Sequence, residues 1–265
     1  MVWGECGGRS AKSAAILGCR SAAVTIGGMQ IGTLPRCYAL VPCAGVGLRA
    51  GAAGPKQYQP VAGRAMVAHT LAALAQVARI EATLVVLSPD DGQFAAAAPA
   101  HVGERAWVAH CGGATRAESV ANGLLELLAR GVQPHDWVLV HDAARCLLQP
   151  AWVDRLIDAC LGDEVGGLLA LPLADTLKQA EGGRVSSTVD RTGKWAAQTP
   201  QMFRAGLLLP ALRFAGDTVT DESSAIEALG HAPKLILGDL INLKVTWPED
   251  FVLAERLMNS SNGAP

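Results

Sequence analysis

The chain has 265 residues, a formal net charge of −2 at pH 7, and 50% hydrophobic residues. This length fits one large α/β domain or two small ones, with enough apolar residues for a sizeable core. The sequence contains no basic run that would indicate a nucleic-acid partner, and no window of about 18 uncharged apolar residues that would indicate a membrane span. A small anionic ligand is still compatible with this composition, because local arginines and lysines can bind phosphate on a near-neutral protein.

The seven cysteines indicate a reducing compartment. They form no CxxC pair and have no histidine at metal-binding spacing, and an odd number does not suit a disulfide framework. We therefore expect a cytoplasmic protein.

The two ends of the chain differ in composition from its middle. Residues 1–35 are rich in Gly, Ser and Ala and show no sustained period, so we expect a disordered N-terminal extension. Met29 lies just before the first clear strand and is a second candidate start, and we expect that deleting residues 1–28 leaves activity intact. Residues 36–260 are expected to form the folded domain, and residues 261–265 a flexible tail.

From residue 36 onward, short apolar runs alternate with segments of helical period. Predicted strands lie at 38–41, 83–87, 107–109, 138–140 and 167–171. Longer helices are predicted between them at about 65–78, from the run 112–119 to about 129, and at about 150–161. Strands that alternate with helices of this length are typical of an α/β protein with a doubly wound, mostly parallel, Rossmann-like sheet.

Residues 173–194 break this alternation and predict a projecting β-arm. Gly182-Gly183 separates two short extendable runs, 176–178 and 185–189, which is the pattern of a hairpin. Because a two-stranded hairpin is marginally stable alone, we expect the arm to pack on another subunit and form a homodimer. The chain then returns through 195–203, helices after Gly206 and at about 220–229, strands at 234–237 and 242–245, and a last helix at 248–258.

A glycine-rich loop follows the first strand and indicates phosphate binding. The segment 45–50 matches G-x-G-x-x-G/A, but a dinucleotide site also needs an acid about 20 residues on, and here the second strand ends about twice as far away. The loop also lacks the Gly-Lys-Ser/Thr of a Walker A motif. Its free backbone amides, together with Arg49 and Lys56, instead suit a triphosphate whose charge grows on the leaving pyrophosphate.

The fourth predicted strand runs directly into the charged residues His141, Asp142 and Arg145. In open α/β sheets, ligands lie just past the carboxyl ends of the strands, so these side chains are placed for chemistry. Taken alone, the stretch fits a helix cap with a surface salt bridge equally well.

Together, the motifs of residues 36–260 resemble the cytidylyltransferases of the non-mevalonate isoprenoid pathway. The matching segments are Pro42-x-Ala44-Gly45-x-Gly47-x-Arg49, Pro55-Lys56-Gln57, Gly112-Gly113-x-x-Arg116-x-x-Ser119-Val120, His141-Asp142-Ala143-Ala144-Arg145, Asp175-Thr176-Leu177-Lys178, Val189-Asp190-Arg191, Gln198-Thr199-Pro200-Gln201, Thr220-Asp221-Glu222 and Asn242-Leu243-Lys244-Val245-Thr246. The resemblance implies a nucleotidyltransferase-type fold. It also implies the transfer of CMP from CTP to methylerythritol 4-phosphate with Mg²⁺, without a covalent enzyme intermediate.

The resemblance also implies roles for individual residues. The implied catalytic residues are Arg49, Lys56, Asp142 and Lys244, with Asp142 near the metal. The implied CTP pocket consists of Ala44, Gly45, Gly47, Gly113 and Ser119. The implied acceptor pocket consists of Thr199, Thr220 and Lys244, with Thr176 and Arg191 on an arm that reaches the site of the partner subunit. Arg145 is expected to brace the Gly45–Lys56 loop.

Several of these residues also have ordinary structural explanations. Thr220 fits a helix N-cap followed by acids in the first turn, and Thr176 fits a plain strand residue. Lys244 fits a solvated charge in a short edge strand, and Ser119 fits a solvent-facing position on its helix.

The sequence departs from the usual family pattern at three positions. Cys43 stands where Ala is common, Leu48 where Arg is frequent, and Ala114 where Asp is common. Leu48 removes one phosphate-binding cation, and Ala114 removes one contact to the nucleotide.

Two alternative functions stay open. One is a cytidylyltransferase that acts on ribitol 5-phosphate or another pentitol phosphate, and the other is a nucleotide-binding module without catalysis.

Overall fold

The computed structural model describes residues 34–45, 54–216 and 219–261, together with the backbone of two short strands, Thr25–Ile26 and Met29–Gln30. These two strands pair antiparallel within a unit of residues 1–34, separate from the unit of residues 35–265. The rest of the predicted N-terminal extension up to residue 33 lies outside the described residues, as do residues 262–265.

The second unit is built on a seven-stranded sheet. The strands, with the two of the arm, are β1 (Cys37–Pro42), β2 (Ile80–Val86), β3 (Ala106–Ala109), β4 (Trp137–Val140), β5 (Gly166–Pro172), β6 (Leu177–Glu181), β7 (Arg184–Val189), β8 (Trp195–Arg204) and β9 (Lys234–Leu237). Their order in the sheet is β9-β5-β8-β4-β1-β2-β3. Only β8 runs antiparallel to its neighbours β4 and β5, so the prediction of a mostly parallel sheet is confirmed.

Helices follow most of these strands. They are α1 (Met66–Ala75), α2 (Phe94–Ala97), α3 (Arg116–Ala129), α4 (Pro150–Cys160), α5 (Ala205–Ala215), α6 (Glu222–Ala228) and α7 (Pro248–Ser261). A 3₁₀ turn at Lys56–Tyr58 and a short antiparallel strand pair, Pro60–Val61 with Arg64–Ala65, precede α1. None of the helices that the structure describes is long and apolar enough to cross a membrane.

The helices cover both faces of the sheet. Successive residues of a strand point to opposite faces, so Ala39 and Val41 of β1 pack with α1 and α4, whereas Tyr38 and Leu40 pack with α3 and α5. Leu40 is fully buried, which stabilises the fold by about 2 kcal/mol relative to an exposed leucine. Burial on both faces explains why β1 and β4, at the middle of the sheet, are apolar throughout.

The predicted arm is present as the antiparallel hairpin β6–β7. Its turn consists of Gly182 and Gly183, whose φ angles of 56° and 77° lie in the left-handed region that favours glycine. Most of its side chains are exposed in the single protomer.

One predicted strand is wrong. Residues 242–245 form no strand, and they are held by hydrogen bonds to β8 and to the residues after β4 instead of by strand pairing. The buried Asn242 side chain donates to the Thr199 carbonyl at 2.9 Å, and the Val245 amide donates to the Ala144 carbonyl at 2.9 Å. Val245 also packs with Met66 in a small apolar cluster that includes Ala254 of α7, so the segment is fixed without a strand partner.

Candidate active site

A cavity of about 450 Å³ lies at the carboxyl ends of β1 and β4, where ligands bind in open α/β sheets. Three stretches form most of its wall: the residues after β1, the loop before α3, and the residues after β4. Seven of the residues given a catalytic or binding role in the sequence analysis line it: Ala44, Gly45, Lys56, Gly113, Ser119, Asp142 and Lys244.

The stretch after β1 places Lys56 at the cavity. The buried Gln57 side chain donates to the Cys43 carbonyl at 2.9 Å, which ties the 3₁₀ turn to the end of β1. The Lys56 ammonium group donates to the Val245 carbonyl at 2.9 Å and so faces the segment that contains Lys244. Arg49 and Gly47, and with them the departure at Leu48, lie outside the described residues.

The loop before α3 is held by the first turn of that helix. Thr115 is the N-cap, and its hydroxyl accepts from the Glu118 amide at 3.1 Å. Ser119 is buried, and its hydroxyl accepts from the Gly113 amide at 3.0 Å, so it faces the cavity loop rather than solvent. A Cβ at Gly112 would lie 2.3 Å from the Cβ of Ala44, so only glycine fits at this position.

Asp142 is the acid that lines the cavity among the described residues, and two cations hold it. Its Oδ1 accepts from Arg116 Nε at 2.9 Å, and its Oδ2 lies 2.7 Å from Lys244 Nζ. Burial alone would raise the pKa of Asp142, but Arg116 and Lys244 outweigh burial and hold that pKa well below its usual range. The carboxylate is therefore ionised at neutral pH.

Arg116 joins Asp142 to a second buried acid, Glu222. The two terminal nitrogens of Arg116 donate to the Glu222 carboxylate at 2.6 and 3.0 Å. Burial alone would lower the pKa of Arg116, but the two carboxylates outweigh burial and raise it, so the guanidinium stays charged. The sequence analysis gave neither Arg116 nor Glu222 a role in the site, although both belong to the quoted motifs.

Glu222 begins α6, and Thr220 is not the cap of that helix. Asp221 is the N-cap, because its Oδ1 accepts from the Ser224 amide at 2.9 Å. Thr220 is exposed and lines a separate cavity of about 80 Å³ beside Arg116.

A buried hydrogen-bond chain supports the backbone of Asp142. Its amide donates to the Thr199 hydroxyl at 3.1 Å, and that hydroxyl lies 3.1 Å from Nδ1 of His141. Nε2 of His141 lies 3.3 Å from the Arg145 carbonyl, so these partners assign the proton to Nε2. Burial lowers the pKa of His141 to about 4, and the ring is neutral at pH 7. Thr199 thus lies beneath Asp142 and does not line the cavity.

The described contacts of Arg145 lie on another segment than the predicted Gly45–Lys56 loop, of which residues 46–53 lie outside the described part of the chain. Its guanidinium donates to the carbonyls of Asn242 at 2.6 Å and Ala197 at 3.3 Å. It therefore supports the segment that contains Lys244, whereas the sequence pointed to the Gly45–Lys56 loop.

The structure does not bring every predicted acceptor residue to this cavity. Thr176 and Arg191 flank the strands of the arm, are exposed, and do not line the cavity of their own protomer. Of the predicted acceptor set, Lys244 lines it.

A divalent cation fits this site if one protein carboxylate binds it together with substrate phosphates. Among the described residues, no group of three or more His, Cys, Asp or Glu side chains could hold a metal alone. Magnesium usually binds one or two carboxylates and completes its shell with substrate phosphates and water. The ionised Asp142 suits that mode.

A larger cavity of about 610 Å³ lies beside α1 and β2 but lacks such chemistry. Alanines and other apolar residues form most of its wall. Its Arg105 donates to the carbonyls of Val77 and Ile80 and is thereby tied to the protein backbone. Charged side chains converge in the smaller cavity, so that cavity is the candidate site.

The sheet and the charged cavity at its carboxyl edge define an α/β protein of nucleotidyltransferase type. Residues 37–260 match the family model described as IspD: 2-C-methyl-D-erythritol 4-phosphate cytidylyltransferase. The chain belongs to this family of nucleotidyltransferase enzymes.

Individual relatives agree with this family. The chain is 55% identical over 232 residues to the 2-C-methyl-D-erythritol 4-phosphate cytidylyltransferase of Laribacter hongkongensis, covering 86% of this chain and 99% of that one. It is 62% identical over 235 residues to the bifunctional enzyme IspD/IspF of Albidiferax ferrireducens, covering 88% of this chain but only 56% of that longer protein. A crystal structure of 4-diphosphocytidyl-2C-methyl-D-erythritol synthase aligns with a TM-score of 0.75 at 43% identity, covering 84% of this chain and 98% of that one.

Proposed function

We propose that this chain transfers the cytidylyl group of CTP to the phosphate of 2-C-methyl-D-erythritol 4-phosphate and releases pyrophosphate. The observation that supports this most strongly is the convergence of Lys56, Lys244 and Asp142 on one cavity at the sheet edge. Two cations and one ionised acid suit the joining of a nucleoside triphosphate to a second phosphate. The names of the relatives supply the identity of the acceptor.

The nucleotide occupies the part of the cavity between β1 and α3. Ala44, Gly45, Gly113 and Ser119 line the cytidine pocket, where backbone carbonyls can accept from the exocyclic amine of cytosine. Gly47 and Arg49 complete the triphosphate loop as predicted from the motif. Lys56 binds the phosphates and stabilises the charge that develops on the leaving pyrophosphate.

Asp142 would hold a Mg²⁺ ion together with the nucleotide phosphates, and the ion would neutralise part of their charge. The carboxylate is ionised before any substrate arrives, because Arg116 and Lys244 favour its charged form. The chain of hydrogen bonds through Thr199 and His141 fixes its backbone.

Lys244 binds the acceptor phosphate on the other side of Asp142. One oxygen of that phosphate attacks the α-phosphorus of CTP, the bond to the β-phosphate oxygen breaks, and pyrophosphate leaves. The protein forms no covalent bond in this reaction, so its contribution is to position the two phosphates and to stabilise charge.

The arm completes the acceptor pocket of a second protomer in this account. Its side chains are exposed in one protomer, and Thr176 and Arg191 are predicted to bind the acceptor. Sedimentation velocity tests the homodimer: we expect a dimer at assay concentration, and a monomer with full activity contradicts the role of the arm. Five described cysteines are free, which supports a cytoplasmic location.

The reaction is tested by incubating the protein with CTP, the acceptor and Mg²⁺ while pyrophosphate is measured. We expect pyrophosphate release that needs both substrates, with a diphosphocytidyl product found by mass spectrometry and little turnover with UTP. Nucleotide binding without pyrophosphate release identifies a binding module instead.

A further inference from the structure

Glu222 is a fully buried carboxylate that does not line the cavity, yet it is connected directly to it. Its side chain is 0% exposed, and both of its oxygens accept from Arg116, which does line the cavity. Arg116 in turn donates its remaining nitrogen, Nε, to Asp142. All three guanidinium nitrogens are therefore engaged by two acids.

This arrangement fixes Asp142 more tightly than a single ion pair would. A guanidinium is planar and presents its donors in a rigid fork, so a bidentate bond to Glu222 sets the direction of the Nε–H bond. That bond holds Oδ1 of Asp142 and leaves Oδ2 toward Lys244 at 2.7 Å. Glu222 also offsets the charge of Arg116, so among the described residues Lys56 and Lys244 are the cavity cations proposed to bind substrate phosphates, beside the Arg49 proposed from the motif.

We propose that Glu222 and Arg116 are positioning residues for the transfer reaction. Glu222 orients Arg116, Arg116 orients the Asp142 carboxylate, and the carboxylate sets the position of Lys244 against the acceptor phosphate. This proposal rests on the proposed function above. A purely structural role, in which the pair merely joins α3 to α6, also explains its burial, and the experiment separates the two.

The test compares Glu222→Gln with the wild-type enzyme. Glutamine keeps the shape but removes the charge and one of the two acceptor oxygens. We expect kcat/KM for the acceptor to fall by about 100-fold, as misplacement of a reacting group by about 1 Å does. We expect calorimetric affinity for CTP without acceptor to change little. Glu222→Asp should restore part of the lost kcat/KM.

Asp136→Asn is the matched control. Asp136 is also a buried acid, 1% exposed, that accepts from the Arg36 and Gln133 amides at the opposite end of β4 from Asp142. We expect this variant to unfold at a lower temperature with unchanged kcat and KM per folded molecule. If Glu222→Gln behaves in the same way, the positioning role is wrong.

Arg116→Lys keeps the proposal testable if Glu222→Gln does not fold. Lysine keeps the positive charge but cannot bind both acids in a fork, so the same selective loss in the acceptor reaction is expected, and unchanged kinetics contradict the proposal. The wild-type assay runs first. If the wild type shows no turnover, the proposed function is wrong. If the wild type turns over normally and the variants have the same kinetics, only the positioning role is wrong.

Discussion

Lys244 Nζ lies 2.7 Å from Oδ2 of Asp142, although Asp142 follows β4 and Lys244 lies in the loop just before α7. Each group compensates the charge of the other, which a buried carboxylate requires. In the proposed reaction, Lys244 would pair with the acceptor phosphate and Asp142 would hold Mg²⁺. The pair thus keeps both groups charged and in place for the reaction.

Asp142→Asn is expected to lower kcat/KM by at least about 100-fold, because it removes the ionised carboxylate at the centre of the cavity and frees two cations. Steady-state kinetics at saturating Mg²⁺ measures this loss, and circular dichroism checks the fold. Asp163→Asn is the control, because Asp163 pairs with Lys234 outside the cavity. Near-normal turnover of Asp142→Asn contradicts the role of Asp142.

Lys56→Ala is expected to lower kcat by roughly 10²- to 10³-fold, since it removes a cation that stabilises developing charge in the transition state. Thermal unfolding should change little. Lys234→Ala removes an exposed lysine that pairs with Asp163, and it should leave the kinetics unchanged. If the two variants have equal kinetics, the proposed role of Lys56 in the mechanism is wrong.

Acid should destabilise the fold through His141, whose pKa burial lowers to about 4. An unfolded histidine has a pKa of about 6.5, so between these values the unfolded chain binds more protons. The free energy of unfolding therefore falls as pH drops through this window, by at most about 3 kcal/mol from this residue.

Urea unfolding at pH 7 and pH 5 measures this effect. His141→Gln should reduce the difference between the two pH values, whereas replacement of the exposed His110 by Gln should leave that difference as in the wild type. An undiminished difference in His141→Gln contradicts the buried neutral ring.

Thr199→Val should cost about 1–3 kcal/mol of unfolding free energy, because it leaves the amide of Asp142 and Nδ1 of His141 without their shared hydroxyl partner. Thr83→Val in β2 is the control, since valine suits a buried strand position. Denaturant titration of both variants gives the two costs, and equal small values contradict the supporting role of Thr199.

The sequence predicted the sheet well because its strands are continuous apolar runs, and β9 was predicted with its observed bounds, 234–237. It failed for residues 242–245, where the hydrogen-bond partners Gln198 and Thr199 come from β8 rather than from a neighbouring strand. The local sequence pattern of residues 242–245 does not indicate hydrogen-bond partners that are distant in the chain.

The same limit applies to the site. The residues after β4 were predicted to lie at a ligand site because ligands bind past the carboxyl ends of parallel strands. The pairing of Arg116 with Glu222, 106 residues apart, has no period or spacing that would indicate it. Arg145 was recognised as a brace, but its target depends on how α7 and the segment before it pack.

The acceptor preference tests the central claim most directly. Initial rates are measured with CTP and Mg²⁺ and either 2-C-methyl-D-erythritol 4-phosphate or ribitol 5-phosphate, each over a full range of concentrations. We predict a kcat/KM for methylerythritol phosphate well above that for ribitol 5-phosphate. A higher value for ribitol 5-phosphate, or no turnover with either acceptor, would contradict the account.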